Sequence, residues 1–415
     1  MKKSSKKPEI SFMLDVSKLE PGLFVDLELG WTEHPFLFSR FIIKTANEVS
    51  VIQSLGLKKV KVIPGQCTTK VSPDGVSTEV QDDPSKDLWL AKQEKLEQAR
   101  QYRHQRGAVA SRYKASVEQI KKLNQSLKQT PEQAIDEVNR VVDEVVETVI
   151  VSGDVLVSIV NLPDDQFSTH NHAMNVLVLS LLIGRVIGLP RDKMKELGLG
   201  ALLHDIGKSL IPDKVLKKAG ELTKSEVNYL QTHTSLGADI ARKTNRLSPE
   251  VVDIIAQHHE MLDGSGYPNG LKGERIPVSS RIVAITNLYD NFCNPADYRL
   301  AQTPKDTLAD LFRHYKNRLD GDLIQSFVTV MGIFPPGTII RLSDESIGLV
   351  VTVCAKTLLN PQILLYNPEI PKNEAVLIDL AQHQELKIAK AVKQVDCPKE
   401  IIEYLGIQER VGYSI

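Results

Sequence analysis

The chain has 415 residues, with 51 Lys and Arg against 52 Asp and Glu, so its formal net charge is −1. This length exceeds what one hydrophobic core serves and predicts about two to four domains. Apart from the lysines among the first seven residues, the sequence has no basic stripe. This charge distribution argues against a nucleic-acid polymer as partner.

Cysteine usage and hydropathy both indicate the cytoplasm. The cysteines form no Cys-x-x-Cys pair, which argues against a zinc ribbon and a disulfide framework; they are Cys67, Cys293, Cys354 and Cys397. The longest apolar stretch, residues 176–184, is shorter than the roughly 20 residues that span a bilayer. The N-terminus also lacks the apolar segment of a signal peptide. We therefore predict a cytoplasmic protein with no membrane span.

Residues 1–66 are predicted to form a small, strand-containing regulatory domain. Short apolar runs, such as residues 23–25 and 59–63, alternate with Pro and Gly. This segment also contains an aromatic cluster, which either lines a ligand groove or forms the core of the domain; its members are Trp31, Phe36, Phe38 and Phe41.

Residues 67–165 are predicted to be a polar linker followed by connector helices. The sequence up to about residue 106 is polar, and Thr130-Pro131 has the pattern of a helix N-cap followed by Pro at the first helical position. Beyond it lies an apolar stripe with helical spacing, made of Ile135, Val138, Val142, Val145, Val146 and Val149. Either this stripe pairs with a second copy in a homodimer, or it packs against the helices that follow.

Residues 166–335 are predicted to be an all-α domain. Apolar periodicity and start signals place helices over residues 170–187, 193–208, 223–243, 249–260 and 279–292. The start signals include Thr223-Lys-Ser-Glu226, which has capping-box spacing, and Ser248-Pro-Glu250. A loop rich in Gly and Pro separates the last two helices.

Residues 336–415 are predicted to form a small β-rich extension. The runs at residues 335–342, 347–353 and 362–366 are rich in branched apolar residues and bounded by turn signals, and residues 399–405 are typical of a short helix. The predicted fold class is therefore multidomain α+β, with an all-α domain between two small β-containing domains.

The histidines are concentrated in the predicted helical domain. Six of the ten fall between positions 170 and 259: His170, His172, His204, His233, His258 and His259. His204 is followed directly by Asp205, and this pair of a nitrogen and an oxygen ligand suits a divalent first-row metal. On a continuing helix Lys208 would lie one turn on from His204, where its ammonium can meet a phosphate.

Three motifs together resemble those of the HD-GYP family: His204-Asp-Ile-Gly-Lys208, His258-His-Glu260 and Asp263-Gly-Ser-Gly-Tyr-Pro268. The family consists of bacterial metal-dependent phosphodiesterases that hydrolyse cyclic di-GMP. The resemblance covers roughly residues 166–335 and implies an HD-superfamily helical domain. The N-terminal segment, with residues 19–25 and 31–37, is similar to the domain of unknown function that often precedes this module.

The resemblance implies a binuclear centre of iron or manganese, since Ser168 stands where some members carry a further Glu ligand. The implied metal ligands are His172, His204, Asp205, His233, His258, His259 and Asn287. The family usually has Asp at the position of Asn287, and an amide oxygen brings no charge. Asp205 and Lys208 are the implied catalytic residues. The implied substrate-binding residues are Lys208, Asp263, Gly266, Tyr267, Pro268 and Arg299.

Two functional hypotheses follow. The first is hydrolysis of cyclic di-GMP to linear pGpG, GMP or both. In this hypothesis the loop that contains Gly266, Tyr267 and Pro268, called the Gly-Tyr-Pro loop, can also dock a diguanylate cyclase domain. The second, which rests on Asn287, is a catalytically impaired cyclic di-GMP receptor or adaptor on the same scaffold.

Overall fold

The computed structural model describes residues 11–68, 85–129, 131–160, 169–218, 220–295, 300–353, 359–383 and 386–407. Its contacts divide the chain into two units: Met1–Tyr102 with Asn367–Leu377, and Arg103–Tyr366 with Ile378–Ile415. The four-part division proposed from the sequence stays a prediction. Thr130 and the polar linker at 69–84 lie outside the described residues. In the described part of the chain, no helix is both long and apolar enough to cross a membrane.

The first unit contains a four-stranded antiparallel sheet in the order β1-β4-β2-β3. Its strands are β1 Phe12–Asp15, β2 Phe24–Asp26, β3 Arg40–Ile42 and β4 Lys59–Val62, and helix α1 spans Ala46–Ser54. Helix α1 begins at a capping box in which Thr45 accepts from the Glu48 N–H. The expected strand-containing domain is therefore present.

The aromatic cluster of this unit belongs mainly to hydrophobic packing. Phe36 is buried in the core of the sheet, and its ring lies 4.5 Å from that of Phe41. Trp31 packs against Ile370 and Val376 in a separate small cluster. The structure therefore supports the interpretation that this cluster forms the core of the domain.

The second unit contains the helical domain. The first two of its helices are long: α2 spans Ser85–Gln129, counted in this unit from Arg103, and α3 spans Pro131–Val160. The others are α4 Thr169–Val186, α5 Arg191–Leu203, α6 Asp213–Leu216, α7 Lys224–Gln231, α8 His233–Lys243, α9 Pro249–Gln257, α10 Val278–Cys293, α11 Pro304–His314 and α12 Gly321–Met331. Helix α4 is central, because it contacts α3, α5, α10 and α12 and is almost wholly buried between residues 172 and 184.

The apolar stripe of α3 is buried within this same chain. All six predicted residues belong to the main core cluster, and α3 contacts α4 and α5. The structure therefore supports the second alternative, in which the stripe packs against the helical domain. The homodimer itself stays a prediction.

Two predicted helices are each interrupted. The helix expected over 193–208 ends at Leu203 and is followed by a 3-10 turn at Ile206–Leu210, and the helix expected over 223–243 divides at Thr232 into α7 and α8. The first interruption brings Gly207 onto α8 so closely that a β-carbon there would lie 1.9 Å from the carbonyl oxygen of His233. Only glycine permits this approach.

The C-terminal part contains a five-stranded sheet in the order β8-β7-β6-β5-β9. Its strands are β5 Ile339–Leu342, β6 Ile347–Thr352, β7 Gln362–Leu365, β8 Leu377–Asp379 and β9 Ile388–Val392, and helix α13 spans Lys399–Tyr404. The predicted fold class, helical with a small β-containing domain at each end, is confirmed.

Candidate metal centre

One carboxylate, that of Asp205, lies at the meeting point of two clusters of potential metal ligands. The first cluster is His172, His204 and Asp205, and the second is Asp205, His233, His258 and His259; within each, the ligand atoms all lie within 4.8 Å of one another. The histidines come from α4, the end of α5, the start of α8 and the end of α9. Tertiary packing thus assembles residues that are up to 87 positions apart in the sequence.

Three of the histidines share a local structure that both ends a helix and orients the ring. The Nδ1 atoms of His204, His233 and His258 each donate to the carbonyl oxygen three residues earlier, at 2.7, 2.7 and 2.9 Å. These carbonyls lie in the last turns of α5, α7 and α9, where helix geometry leaves carbonyls without partners. Since a carbonyl only accepts, Nδ1 carries the proton and Nε2 is left with a lone pair.

The Nε2 atoms of four rings face one another in pairs across the site. His172 Nε2 lies 3.2 Å from His204 Nε2, and His233 Nε2 lies 3.3 Å from His258 Nε2. Burial lowers the pKa of His204 and His258, and it lowers that of His259 to about 3, so these three rings are neutral near pH 7. Lone pairs that face each other at such distances repel unless a cation lies between them.

The oxygens of Asp205 face different histidines. Oδ1 lies 3.3 Å from His233 Nε2 and 3.8 Å from His258 Nε2, and it is buried with no hydrogen-bond donor from the described part of the chain. Oδ2 lies 3.3 Å from His204 Nε2 and 2.6 Å from the ammonium of Lys208. Burial acts to raise the pKa of this carboxyl, but Lys208 and His204 outweigh burial and hold that pKa well below its usual range.

This donor set fits divalent metal ions. An ionised carboxylate with an unpaired oxygen is surrounded by imidazole nitrogens whose lone pairs point at it, and imidazole with carboxylate suits first-row metals such as iron, manganese and zinc. Buried polar atoms normally have partners, so the orphaned Oδ1 itself indicates a cation.

Asp290 is a member of the site that the sequence analysis missed. Its Oδ2 accepts from His172 Nδ1 at 2.7 Å, and its Oδ1 accepts from the side-chain amides of Asn175 and Asn294, both at 2.8 Å. The carboxylate fixes the tautomer of His172, as carbonyls do for His204, His233 and His258. The available signal was a carboxylate within the predicted helix over 279–292, three residues after Asn287.

Asn287 is buried on α10, and its Oδ1 accepts a hydrogen bond from Asn291 at 2.8 Å. As an amide it is not part of the two His/Asp clusters, and its role as a ligand stays a prediction. His170, which is one of the six concentrated histidines but not an implied ligand, is half-buried and also lies outside both clusters. Ser168 and Arg299 lie outside the described residues.

Lys208 lies on the 3-10 turn rather than on a continuation of α5. Its expected position one helical turn beyond His204 was therefore wrong, because the helix ends before the His-Asp pair. The ammonium nevertheless reaches the site, where it pairs with Asp205, and the side chain is 32% exposed. Lys208 thus lies between the buried ligands and solvent.

The Gly-Tyr-Pro loop lies against the second cluster. The ring of Tyr267 stacks on that of His259 with centroids 4.6 Å apart. At Gly266 a β-carbon would lie 2.4 Å from the His259 carbonyl oxygen, so the loop backbone packs directly on the His-His-Glu segment. Buried Glu260 holds the far side of the loop by accepting from the N–H groups of Asn269 and Leu271 at 2.7 and 2.9 Å.

The other two predicted substrate-binding residues of the loop, Asp263 and Pro268, are exposed. Asp263 accepts from the N–H and the hydroxyl of Ser265 at 2.8 and 2.6 Å, and these bonds lower the pKa of its carboxyl. Pro268 is exposed and follows a cis peptide bond. In this structure Asp263 therefore stabilises the turn of the loop, and its expected contact with substrate stays a prediction.

Comparison with known proteins identifies both parts of the chain. A family model described as an HD domain matches residues 154–323, and a domain of unknown function, DUF3391, matches residues 12–138. The chain is 28% identical over 365 residues to cyclic di-GMP phosphodiesterase PA4108 of Pseudomonas aeruginosa, a match that covers 85% of this chain and 84% of that protein.

Two further relatives match over the helical domain. Cyclic di-GMP phosphodiesterase response regulator RpfG of Xanthomonas campestris is 39% identical over 132 residues, 32% of this chain and 35% of that protein. 3'3'-cGAMP-specific phosphodiesterase 2 of Vibrio cholerae is 31% identical over 175 residues, 40% of this chain and 34% of that protein. The chain thus spans about a third of these two relatives.

The HD-domain and DUF3391 matches occur in the order expected from the motifs, and the His-Asp, His-His-Glu and Gly-Tyr-Pro motifs converge on one site. The chain therefore contains a DUF3391 domain followed by an HD domain, and the motifs of that HD domain are those of the HD-GYP family.

Proposed function

We propose that this chain is a metal-dependent phosphodiesterase that hydrolyses cyclic di-GMP to linear pGpG, GMP or both. The observation that carries the proposal is the convergence of two histidine clusters on the single carboxylate of Asp205. This geometry suits two adjacent cations better than one, because the two carboxylate oxygens face different histidine pairs.

The first ion would be held by His172, His204 and Asp205, and the second by Asp205, His233, His258 and His259. Iron or manganese is the metal that the family implies, and the nitrogen-rich donor set is compatible with either. When bound, such a pair supplies charge stabilisation at phosphate oxygens and a nucleophilic water at neutral pH.

The protein's own groups prepare this site for an anionic substrate. The rings of His204, His258 and His259 are neutral, and Asp205 is the one carboxylate in the two clusters. Lys208 balances that charge and lies at the solvent side of Asp205, where we propose that its ammonium contacts a phosphate oxygen. Tyr267 and its loop cover the second cluster and would form one wall of the substrate entrance.

The names of the relatives support cyclic di-GMP over other cyclic dinucleotides. PA4108, whose name states that nucleotide, matches through both the N-terminal and the helical part, whereas the Vibrio cholerae protein named for 3'3'-cGAMP matches over 40% of the chain. Docking of a diguanylate cyclase domain on the exposed loop is a further part of the proposal, suggested by the family resemblance.

A second candidate function is a cyclic di-GMP receptor or adaptor without turnover. The observation in its favour is Asn287, a neutral amide at a position where the family usually has a carboxylate ligand. Its Oδ1 already accepts from Asn291, and the amide brings no charge to the site.

The experiment that separates these functions compares wild-type protein with Asn287→Asp on cyclic di-GMP and on 3'3'-cGAMP. Asn228→Asp is the control, because it adds the same charge at an exposed position on α7. The proposal expects wild-type turnover with preference for cyclic di-GMP. Binding without turnover in wild type, with turnover gained in Asn287→Asp alone, would instead establish the receptor.

A further inference from the structure

The face of α2 that packs into the helical domain carries a tyrosine at its centre. Val109 and Ile120 are buried in the main core, and Tyr113 and Val117 pack against it between them. These residues follow a spacing of three or four, so they form one stripe on α2. The ring of Tyr113 thus lies in the interior while its hydroxyl can meet a polar partner.

A series of hydrogen bonds, here called the relay, runs from this hydroxyl through Asn175 and Asp290 to His172, the proposed metal ligand on α4. The Tyr113 hydroxyl donates to Asn175 Oδ1 at 2.5 Å, and Asn175 Nδ2 donates to Asp290 Oδ1 at 2.8 Å. Asp290 Oδ2 in turn accepts from His172 Nδ1 at 2.7 Å. Each bond fixes the orientation of the next group, and the last one leaves His172 Nε2 facing the site.

The part of the relay that lies nearest the metal cluster is buried. Asn175, Asp290 and His172 are 6%, 0% and 5% exposed, so water competes little for their hydrogen bonds. Without the Tyr113 hydroxyl, Asn175 Oδ1 would lose its donor and the amide would be free to rotate. Rotation would offer Asp290 an oxygen in place of a donor and loosen the carboxylate that orients His172.

Tyr113 and the metal ligands belong to different parts of the sequence. The DUF3391 match extends to residue 138, whereas the HD-domain match begins at residue 154. The relay therefore begins in the segment matched by the domain of unknown function and ends at the first ligand of the HD domain.

We propose that Tyr113 is a positioning residue for His172, so that the DUF3391 segment completes the metal cluster of His172, His204 and Asp205. This inference rests on the proposed function for its metal ions, but it can be tested without turnover. The cluster of His233, His258 and His259 has no member in the relay and serves as an internal reference.

The test is calorimetric titration of the full-length, metal-free protein with Mn²⁺ alone. Tyr113→Phe removes the hydroxyl and keeps the buried ring, and Tyr102→Phe is the matched control on the same helix. Asn175→Ala breaks the next link and provides a second variant. Thermal unfolding of the metal-free proteins is measured alongside to detect a general loss of structure.

The proposal expects Tyr113→Phe to weaken one of two Mn²⁺ binding steps by roughly 3- to 10-fold, the effect of one neutral hydrogen bond. Asn175→Ala should weaken the same step by about 10- to 100-fold, because it acts directly on the partner of a ligand. The other step, and both steps in Tyr102→Phe, should be unchanged.

Unchanged Mn²⁺ affinity in both Tyr113→Phe and Asn175→Ala would overturn the relay. Equal weakening of both steps together with a lower unfolding temperature would also overturn it, because it would mean that Tyr113 only stabilises the fold. Wild-type protein that binds Mn²⁺ but does not hydrolyse cyclic di-GMP would contradict the proposed function, and the relay would still be judged by the affinities.

Discussion

His172 Nε2 and His204 Nε2 face each other at 3.2 Å, although the Nδ1 proton of each ring is already committed to another acceptor. The same relationship recurs between His233 and His258 on the other side of Asp205. Two such pairs around one carboxylate are understandable as a site shaped for cations, since the Nε2 atoms of each pair lie close together with the carboxylate between the pairs.

Because Asp205 belongs to both clusters, its substitution should remove more bound metal than substitution of a histidine that belongs to one cluster. Asp205→Ala should remove both bound metals, whereas His172→Ala should remove one and leave the cluster of His233, His258 and His259 able to bind the other. Metal content per chain after gel filtration in excess Mn²⁺ measures this. Asp213→Ala, at an exposed carboxylate on α6, should retain the wild-type content. Full metal content in Asp205→Ala would show that the carboxylate is not shared.

Much of this architecture follows from local sequence. Thr223 and Ser248 cap α7 and α9 as their patterns predict, because their hydroxyls accept from backbone N–H groups three residues later. The apolar stripe of α3 was likewise identifiable from its spacing, although spacing alone did not say what it packs against. The fold class was therefore predictable from periodicity and turn chemistry.

The details of the site were less predictable, because they depend on contacts between distant residues. Helix α5 ends at Leu203, where the ring of His204 donates to a carbonyl of the last turn and Gly207 packs on α8. Neither contact produces a periodic pattern in the sequence. Asp290 was missed for a similar reason. Its role depends on the approach of α10 to α4, which brings it to His172 across 118 positions of sequence.

Removal of Lys208 should impair hydrolysis far more than metal binding. Lys208→Ala leaves every histidine in place, so the metal content should change little, while turnover should fall by about 10²- to 10³-fold if the ammonium stabilises charge on phosphate. Both quantities are measured on one sample. Lys217→Ala, at an exposed lysine with a similar ion pair, is the control. Unchanged turnover would remove Lys208 from the mechanism.

Glu260 should be essential for the stability of the Gly-Tyr-Pro loop. Its carboxylate is 2% exposed and accepts from two backbone N–H groups. In Glu260→Gln one oxygen becomes an N–H₂ group that faces a donor, which should lower the free energy of unfolding by about 1 to 3 kcal/mol. Urea unfolding monitored by circular dichroism measures the change. Glu274→Gln, at an exposed position, should be near wild type, and equal stability of the two variants would argue against this role.

The most direct test of the central claim is hydrolysis of cyclic di-GMP by anaerobically purified protein loaded with iron or manganese, with metal content counted on the same sample. We predict turnover with about two metal ions per chain, and loss of turnover when the ions are removed. Tight binding of the nucleotide without turnover in the fully loaded protein would contradict the proposed enzymatic function and identify a receptor. Absence of both binding and turnover would contradict cyclic di-GMP as the ligand.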